Sequence, residues 1–175
     1  MRNWIVGFAL LGATPVAAEV VSAGPHGFEV RQSANLVVPQ ADAFAAFTQV
    51  AAWWHPDHSY SGDSSRLSLT PRAGGCFCES LENGGGVEHL RVTYVQPGER
   101  MVLTGSLGPL LFEGTAGAMD VKVERIAGGS RIVMTYRVAG FANGNGEALA
   151  GPVDRVLAEQ MKRLRTFAAG GAPKR

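Results

Sequence analysis

From Arg66 to Val138 the apolar residues recur at every second position, run after run, and then the period changes once to that of a helix. The runs cover 66–70, 75–81, 87–95, 100–106, 115–125 and 131–138. Short glycine-bearing connections separate most of them: Asn83-Gly-Gly-Gly86, Pro97-Gly98 and Ala127-Gly-Gly129. A period of two puts alternate side chains on opposite faces of a strand, and tight glycine turns return the chain antiparallel. Met119, Val121 and Val123 share one face, as do Ile132, Met134, Tyr136 and Val138. Asp120, Lys122, Glu124, Arg131 and Arg137 take the other. One buried and one wet face is what an antiparallel sheet covered on a single side requires.

The cover has to come from the helices. Leu149, Val153, Val156, Leu157, Gln160, Met161, Leu164 and Phe167 form a broad stripe at helical spacing, stopped by Gly170-Gly171. Pro152 suits a first-turn position, or else kinks a helix that begins near Glu147. Before the meander, 28–38 reads as a first strand ended by Pro39, and 41–52 as a short helix packed by Phe44, Phe47 and Ala51. Pro56 prevents that helix from continuing beyond Trp53-Trp54. The expected class is α+β: a curved antiparallel sheet of six to seven strands wrapped on a long C-terminal helix, with a short helix after the first strand.

The chain has 175 residues, a one-domain length. Its formal net charge is +1 and no basic stripe is present, so nucleic acid is not an expected partner. Arg2, the apolar run 4–12 and the small residues around Pro15-Val-Ala-Ala18 read as a signal peptide cleaved after Ala18. That run is too short to span a bilayer, so no stable membrane insertion is expected after cleavage, and the mature chain is expected in the periplasm or secreted. Residues 19–26 then read as a tail, 27–169 as a single domain and 170–175 as a frayed end.

The element order resembles the helix-grip START-like superfamily, also called SRPBCC. Within it the chain is similar to the activator-of-heat-shock-ATPase-like branch. The residues that carry the resemblance are Val38-Pro39, Phe44 and Phe47, Trp53-Trp54, Gly74-Gly-Cys-Phe77 and Pro97-Gly-Glu-Arg-Met101. It spans about Phe28 to Phe167. The resemblance implies a cavity for a hydrophobic small molecule or lipid between sheet and helix, with cyclases and aromatases among such proteins. The branch name implies a cytosolic chaperone partner. An exported chain does not meet one, and none is expected. No cofactor is expected.

Polar candidates cluster early. His55, Asp57 and His58 lie in one loop, where imidazoles and a carboxylate can share a proton, ligate a metal or simply cap a turn. Cys76 and Cys78, the only cysteines, lie two apart on a strand. Extended spacing puts their Cα atoms roughly 6.5–7 Å apart, at the edge of disulfide geometry, so a bridge is not expected. If Leu81 pairs with Val87, Glu79 falls opposite His89 and Phe77 opposite Arg91. Which face is inside stays open. Leu90, Val92 and Tyr94 argue for cysteines inside; the resemblance of Gly-Gly-x-Phe argues for Phe77 and Glu79 inside, and a bulge satisfies both.

Three functions follow. One is a ligand-binding protein with walls from Trp54, Tyr60, Phe77, Met101, Phe112, Met119 and Tyr136, and polar anchors at His55, His58, Glu79 and His89. Another is an enzyme of cyclase or hydrolase type, in which Glu79 and His89 move protons. The third is a metal-binding protein drawing on His55, His58, His89, Cys76 and Cys78.

Overall fold

The computed structural model describes residues 17–171. The leader read at 1–18 therefore lies outside the described residues except for Ala17 and Ala18. The chain order is β1 (Ala17–Gly24), β2 (Gly27–Leu36), α1 (Gln40–Thr48), α2 (Val50–Trp53), β3 (Leu67–Leu69), β4 (Cys76–Ser80), β5 (Gly86–Gln96), β6 (Arg100–Thr104), β7 (Ala116–Ile126), β8 (Gly129–Ala139) and α3 (Gly146–Ala168). The strands form one sheet in the order β1-β2-β8-β7-β6-β5-β4-β3, antiparallel throughout.

The sheet has eight strands rather than six or seven. The addition is β1, which occupies most of the segment expected as a tail. Its side chains are largely exposed and its order comes from backbone pairing with β2. An edge strand of that kind carries no apolar period to read. The expected helix over 41–52 is divided at Gln49 into α1 and α2. The long helix starts at Gly146, so Pro152 lies inside it rather than in its first turn.

The inner face is the one that the alternation of β7 and β8 marks. Met119, Val121, Val123, Ile132, Met134, Tyr136 and Val138 are all buried, and α3 packs against β1 and β2 on that side. On the outer face Arg100 makes two 2.8 Å contacts to Asp120 across β6 and β7. Trp53 and Trp54 are buried beneath α3, and Arg163 of that helix donates to the Trp53 carbonyl at 2.7 Å.

Strand β5 departs from simple alternation twice. Phe77 pairs with Leu90 but Cys78 with Glu88, so His89 is an extra residue in the ladder. Val92 pairs with Leu103 but Tyr94 with Val102, which leaves Thr93 extra as well. At the first bulge two consecutive side chains, His89 and Leu90, both turn inward. At the second, Tyr94 is returned to the outside, where it is 46 % exposed.

Candidate functional site

The bulge corrects the expected register. Glu79 lies opposite Val87, not His89, and Phe77 opposite Leu90, not Arg91. Glu79 and His89 meet all the same: His89 lies two residues beyond Val87 and so shares the inner face of Glu79, and the bulge lets Leu90 turn inward beside it. His89 Nε2 is 2.9 Å from Glu79 Oε2, and both side chains are sealed. Glu79 also accepts the backbone N–H groups of Tyr60 at 3.1 Å and Ser61 at 2.5 Å. The loop after Trp54 thus closes over the end of β4 by its main chain.

These contacts set the charges. Burial alone would push the Glu79 carboxyl up, but hydrogen bonds from Ser61, Tyr60 and His89 outweigh it, and the net shift is down. His89 is shifted down as well. Burial opposes its charged form more strongly than Glu79 favours it. At neutral pH the pair is a carboxylate beside a neutral imidazole. With Nε2 donating to Glu79, Nδ1 holds a lone pair, and it has no hydrogen-bond partner among the described residues.

Beside this pair lies a half-open cavity of about 320 Å³, bounded by three segments. The 54–60 loop contributes Trp54, Asp57, His58, Ser59 and Tyr60; the turn after β6 contributes Leu107, Gly108, Pro109 and Leu110; and α3 contributes Leu149, Pro152, Val153, Val156 and Leu157. His89 is the sheet's contribution. Its ring is stacked on Tyr60 with centroids 5.8 Å apart and lies 5.1 Å from Phe77 on another side.

Of the side chains expected at the site, Trp54, His58, Tyr60 and His89 line this cavity. Phe77 and Glu79 stand behind His89 and do not line it. Met101, Met119 and Tyr136 belong to the sealed core instead. The Tyr136 hydroxyl is occupied, accepting from Leu107 N–H at 2.9 Å and donating to the Gly105 carbonyl at 3.1 Å, and burial pushes its pKa up to about 12. Phe112 is 77 % exposed, its ring edge-on to Tyr60 at 6.2 Å. Sequence reading missed the 107–110 wall, whose apolar cluster Pro109-Leu110 was visible without any sign of where it would fold.

His55 does not reach the cavity. Its Nδ1 accepts from the Asp57 N–H at 3.2 Å, capping a single turn of 3-10 helix at 56–58. Its own N–H donates to Gln160 Oε1 at 2.8 Å, while Gln160 Nε2 donates to His58 Nδ1 at 2.8 Å. The buried glutamine fastens the loop to α3.

The cysteines overturn one expectation and settle the face that was open. They are bonded to each other, with Cα atoms 5.4 Å apart rather than the spacing of a fully extended strand. They also sit half-buried on the outer face, opposite in sense to Phe77 and Glu79. The metal set of His55, His58, His89 and the cysteines is therefore not brought together. Among the described residues no group of three or more histidine, cysteine or acidic side chains is placed to hold a metal ion.

No protein-family model and no curated protein matches the chain. Solved structures do match its fold. One is CalU16 from Micromonospora echinospora, at TM-score 0.57 and 14 % identity, covering 93 % of this chain and 88 % of that one. Ara h 8.0201 aligns at TM-score 0.57 and 13 % identity, over 83 % of this chain and 99 % of its own. An AHSA1-like protein from Rhizobium etli aligns at TM-score 0.54 and 22 % identity, over 88 % and 89 %. The likeness is one of fold, a helix grip as expected from the residue order.

Proposed function

We propose that this protein binds an apolar small molecule in the cavity between the sheet and α3. The observation that carries the reading is the contrast within the cavity wall. Leu107, Leu110, Leu149, Val153, Val156 and Leu157 offer hydrocarbon, and among few polar groups the deepest is His89. A volume near 320 Å³ suits a small organic molecule. Native mass spectrometry of the purified protein should reveal a co-purifying organic species, or else the protein should take up neutral N-phenylnaphthylamine with a rise in fluorescence. Val153→Trp, which puts an indole into the cavity, should abolish uptake. A protein that carries no organic species and leaves the probe dark does not have this function.

A second reading is favoured by one feature, the carboxylate–imidazole couple at 2.9 Å. Such a couple can move a proton. Among the described residues Nδ1 has no hydroxyl or thiol partner, so the geometry of a serine or cysteine nucleophile is not assembled there. A catalytic role would fall on the bound molecule itself, as in a cyclisation or isomerisation that begins with proton removal.

The leader at 1–18 supports export to the periplasm or beyond, and the Cys76–Cys78 bond is of a kind kept in oxidising compartments. Cleavage after Ala18 leaves β1 starting at Glu19. The mass of the mature chain tests this: it should lack residues 1–18, and a cytosolic chain of full mass would refute export.

A further inference from the structure

We infer that the ligand presents a neutral hydroxyl or N–H group to Nδ1 of His89, and that the site rejects carboxylates. The inference rests on the reading that the cavity holds an apolar molecule, and it names the chemistry that molecule must carry.

The assignment follows from hydrogen-bond roles. Beside the Ser61 hydroxyl, the groups of the 60–61 segment that reach Glu79 are the backbone N–H groups of Tyr60 and Ser61, which can donate but not accept. A carboxylate satisfies both at once and still accepts from His89 Nε2. The ring proton is thus committed to Nε2, and Nδ1 is an acceptor. It is one of three buried side-chain atoms without a partner among the described residues. The other two, Gln32 Oε1 and Asn145 Oδ1, belong to residues that do not line the cavity. His89 does line it, while Nδ1 itself has almost no accessible surface, so a donor reaches it only as the cavity wall beside the ring yields on binding. Rotating the ring to hide Nδ1 elsewhere would break the bond to Glu79 and the stacking on Tyr60 and Phe77.

A buried acceptor without a donor is a standing cost, and a ligand O–H or N–H removes it. A ligand carboxylate does the opposite. It brings a second anion towards Glu79 and lone pairs towards a lone pair. Among the described residues no lysine or arginine lines the cavity to offset that, and Asp57 adds a further negative group. An ether or ketone of the same shape lies between the two cases, since it keeps the apolar contacts and supplies no donor. Glu79 acts here as a positioning residue, holding the imidazole in one tautomer.

The experiment uses three probes of one shape: 2-naphthol, 2-methoxynaphthalene and 2-naphthoate, titrated calorimetrically into the full chain near neutral pH. The naphthol should bind roughly tenfold more tightly than the methyl ether, the worth of one neutral hydrogen bond to a buried acceptor. The naphthoate should bind more weakly than the ether. His89→Phe, which keeps a flat ring between Tyr60 and Phe77, should erase the advantage of the naphthol over the ether. Naphthoate binding as tightly as naphthol overturns the inference, and so does equal affinity for naphthol and ether in the unaltered protein; neither result needs a variant to fold. Failure of all three to bind removes the ligand-binding reading and this inference with it. Tight binding of all three with no ranking removes only the inference.

Discussion

The molecule carries two histidine clusters, and they use their polar atoms in opposite ways. In the 55–58 loop the atoms are turned on the protein itself. His55 Nδ1 caps a turn, the His55 N–H and His58 Nδ1 are held by Gln160, and Trp54 Nε1 donates to the His58 carbonyl at 2.9 Å. Between β4 and β5 the groups are far better buried, yet one of them, His89 Nδ1, is left without a partner. The cluster that stands out in the sequence, Trp-Trp-His-Pro-Asp-His, is thus mainly a fastening of loop to helix. The proposed site centres instead on a pair ten residues apart with no motif around it. A dense run of chemically able residues is a poor guide to function when each can be satisfied by its neighbours; an orphaned buried atom beside a cavity is a better one.

The comparison predicts unequal costs of disruption. The largest should come from Glu79→Ala, which strips a sealed anion from three donors at once: the Tyr60 and Ser61 N–H groups and His89 Nε2. Removing one partner of a buried pair costs about 3–5 kcal/mol. Urea unfolding should show that loss. A loss no larger than that of a surface substitution would mean that the β4–β5 cluster is as loosely held as an exposed pair. Next comes Gln160→Ala, which frees the His55 N–H and His58 Nδ1 together and should cost about 1–3 kcal/mol. Its further mark is local: the tryptophan fluorescence of Trp53 and Trp54 should change, because the loop that follows them is no longer tied to α3.

A third effect is smaller and appears as a pH slope. His89 is held below its ordinary value of 6.5 because burial disfavours its charge. Between the depressed native value and 6.5 the unfolded chain binds a proton that the native chain does not, so stability rises with pH across that window. It is complete above 6.5 and declines as pH falls below it. Glu79, lowered from 4.5, adds its own decline as pH drops from 4.5 towards its native value. Unfolding midpoints at about pH 8, 6 and 5 should therefore fall in that order, and in His89→Phe the first part of the decline should be missing.

Parts of this were legible from the residues, and the physical reasons differ. The inner faces of β7 and β8 were readable because one-sided burial writes a period of two into the chain. β1 was not, because its exposed side chains carry no pattern and its partner strand alone defines it. The meeting of Glu79 with His89 was anticipated through a register that is off by two residues at Glu79 and by one at Phe77. A shift of two residues keeps the face, so His89 still falls beside Glu79; the bulge adds Leu90 to that face, and no local signal in Val87-Glu-His-Leu-Arg-Val92 announces an extra residue. The disulfide was missed because regular extended spacing was assumed next to that bulge. Gly105 shows a related limit. Its φ of +144° and the 2.8 Å approach of an added Cβ to the His89 carbonyl demand glycine, yet in the sequence it is one of 23. The α3 stripe predicted a buried face, but whether Val153 and Leu157 meet core or cavity depends on where the 107–110 turn lands.

The smallest expected effect tests the other side of the comparison most directly. Glu159 stands beside both loop histidines, with Oε1 3.7 Å from His55 Nε2 and Oε2 3.9 Å from His58 Nδ1. On paper this resembles the Glu79–His89 couple, a carboxylate against imidazoles. The physical setting differs in each respect that matters. The Glu159 side chain is 45 % exposed where Glu79 is sealed, its contacts are nearly 1 Å longer than the 2.9 Å of the buried pair, and His58 Nδ1 already has Gln160 as a closer partner. Water competes for such a carboxylate and salt screens it, so an exposed pair of this kind is worth well under 1 kcal/mol. Glu159→Gln should therefore shift unfolding by no more than about 0.5 kcal/mol and leave naphthol affinity within about twofold. A cost near that of Glu79→Ala would mean that the loop histidines depend on a charge, and that the two clusters are one electrostatic unit rather than a fastening and a site.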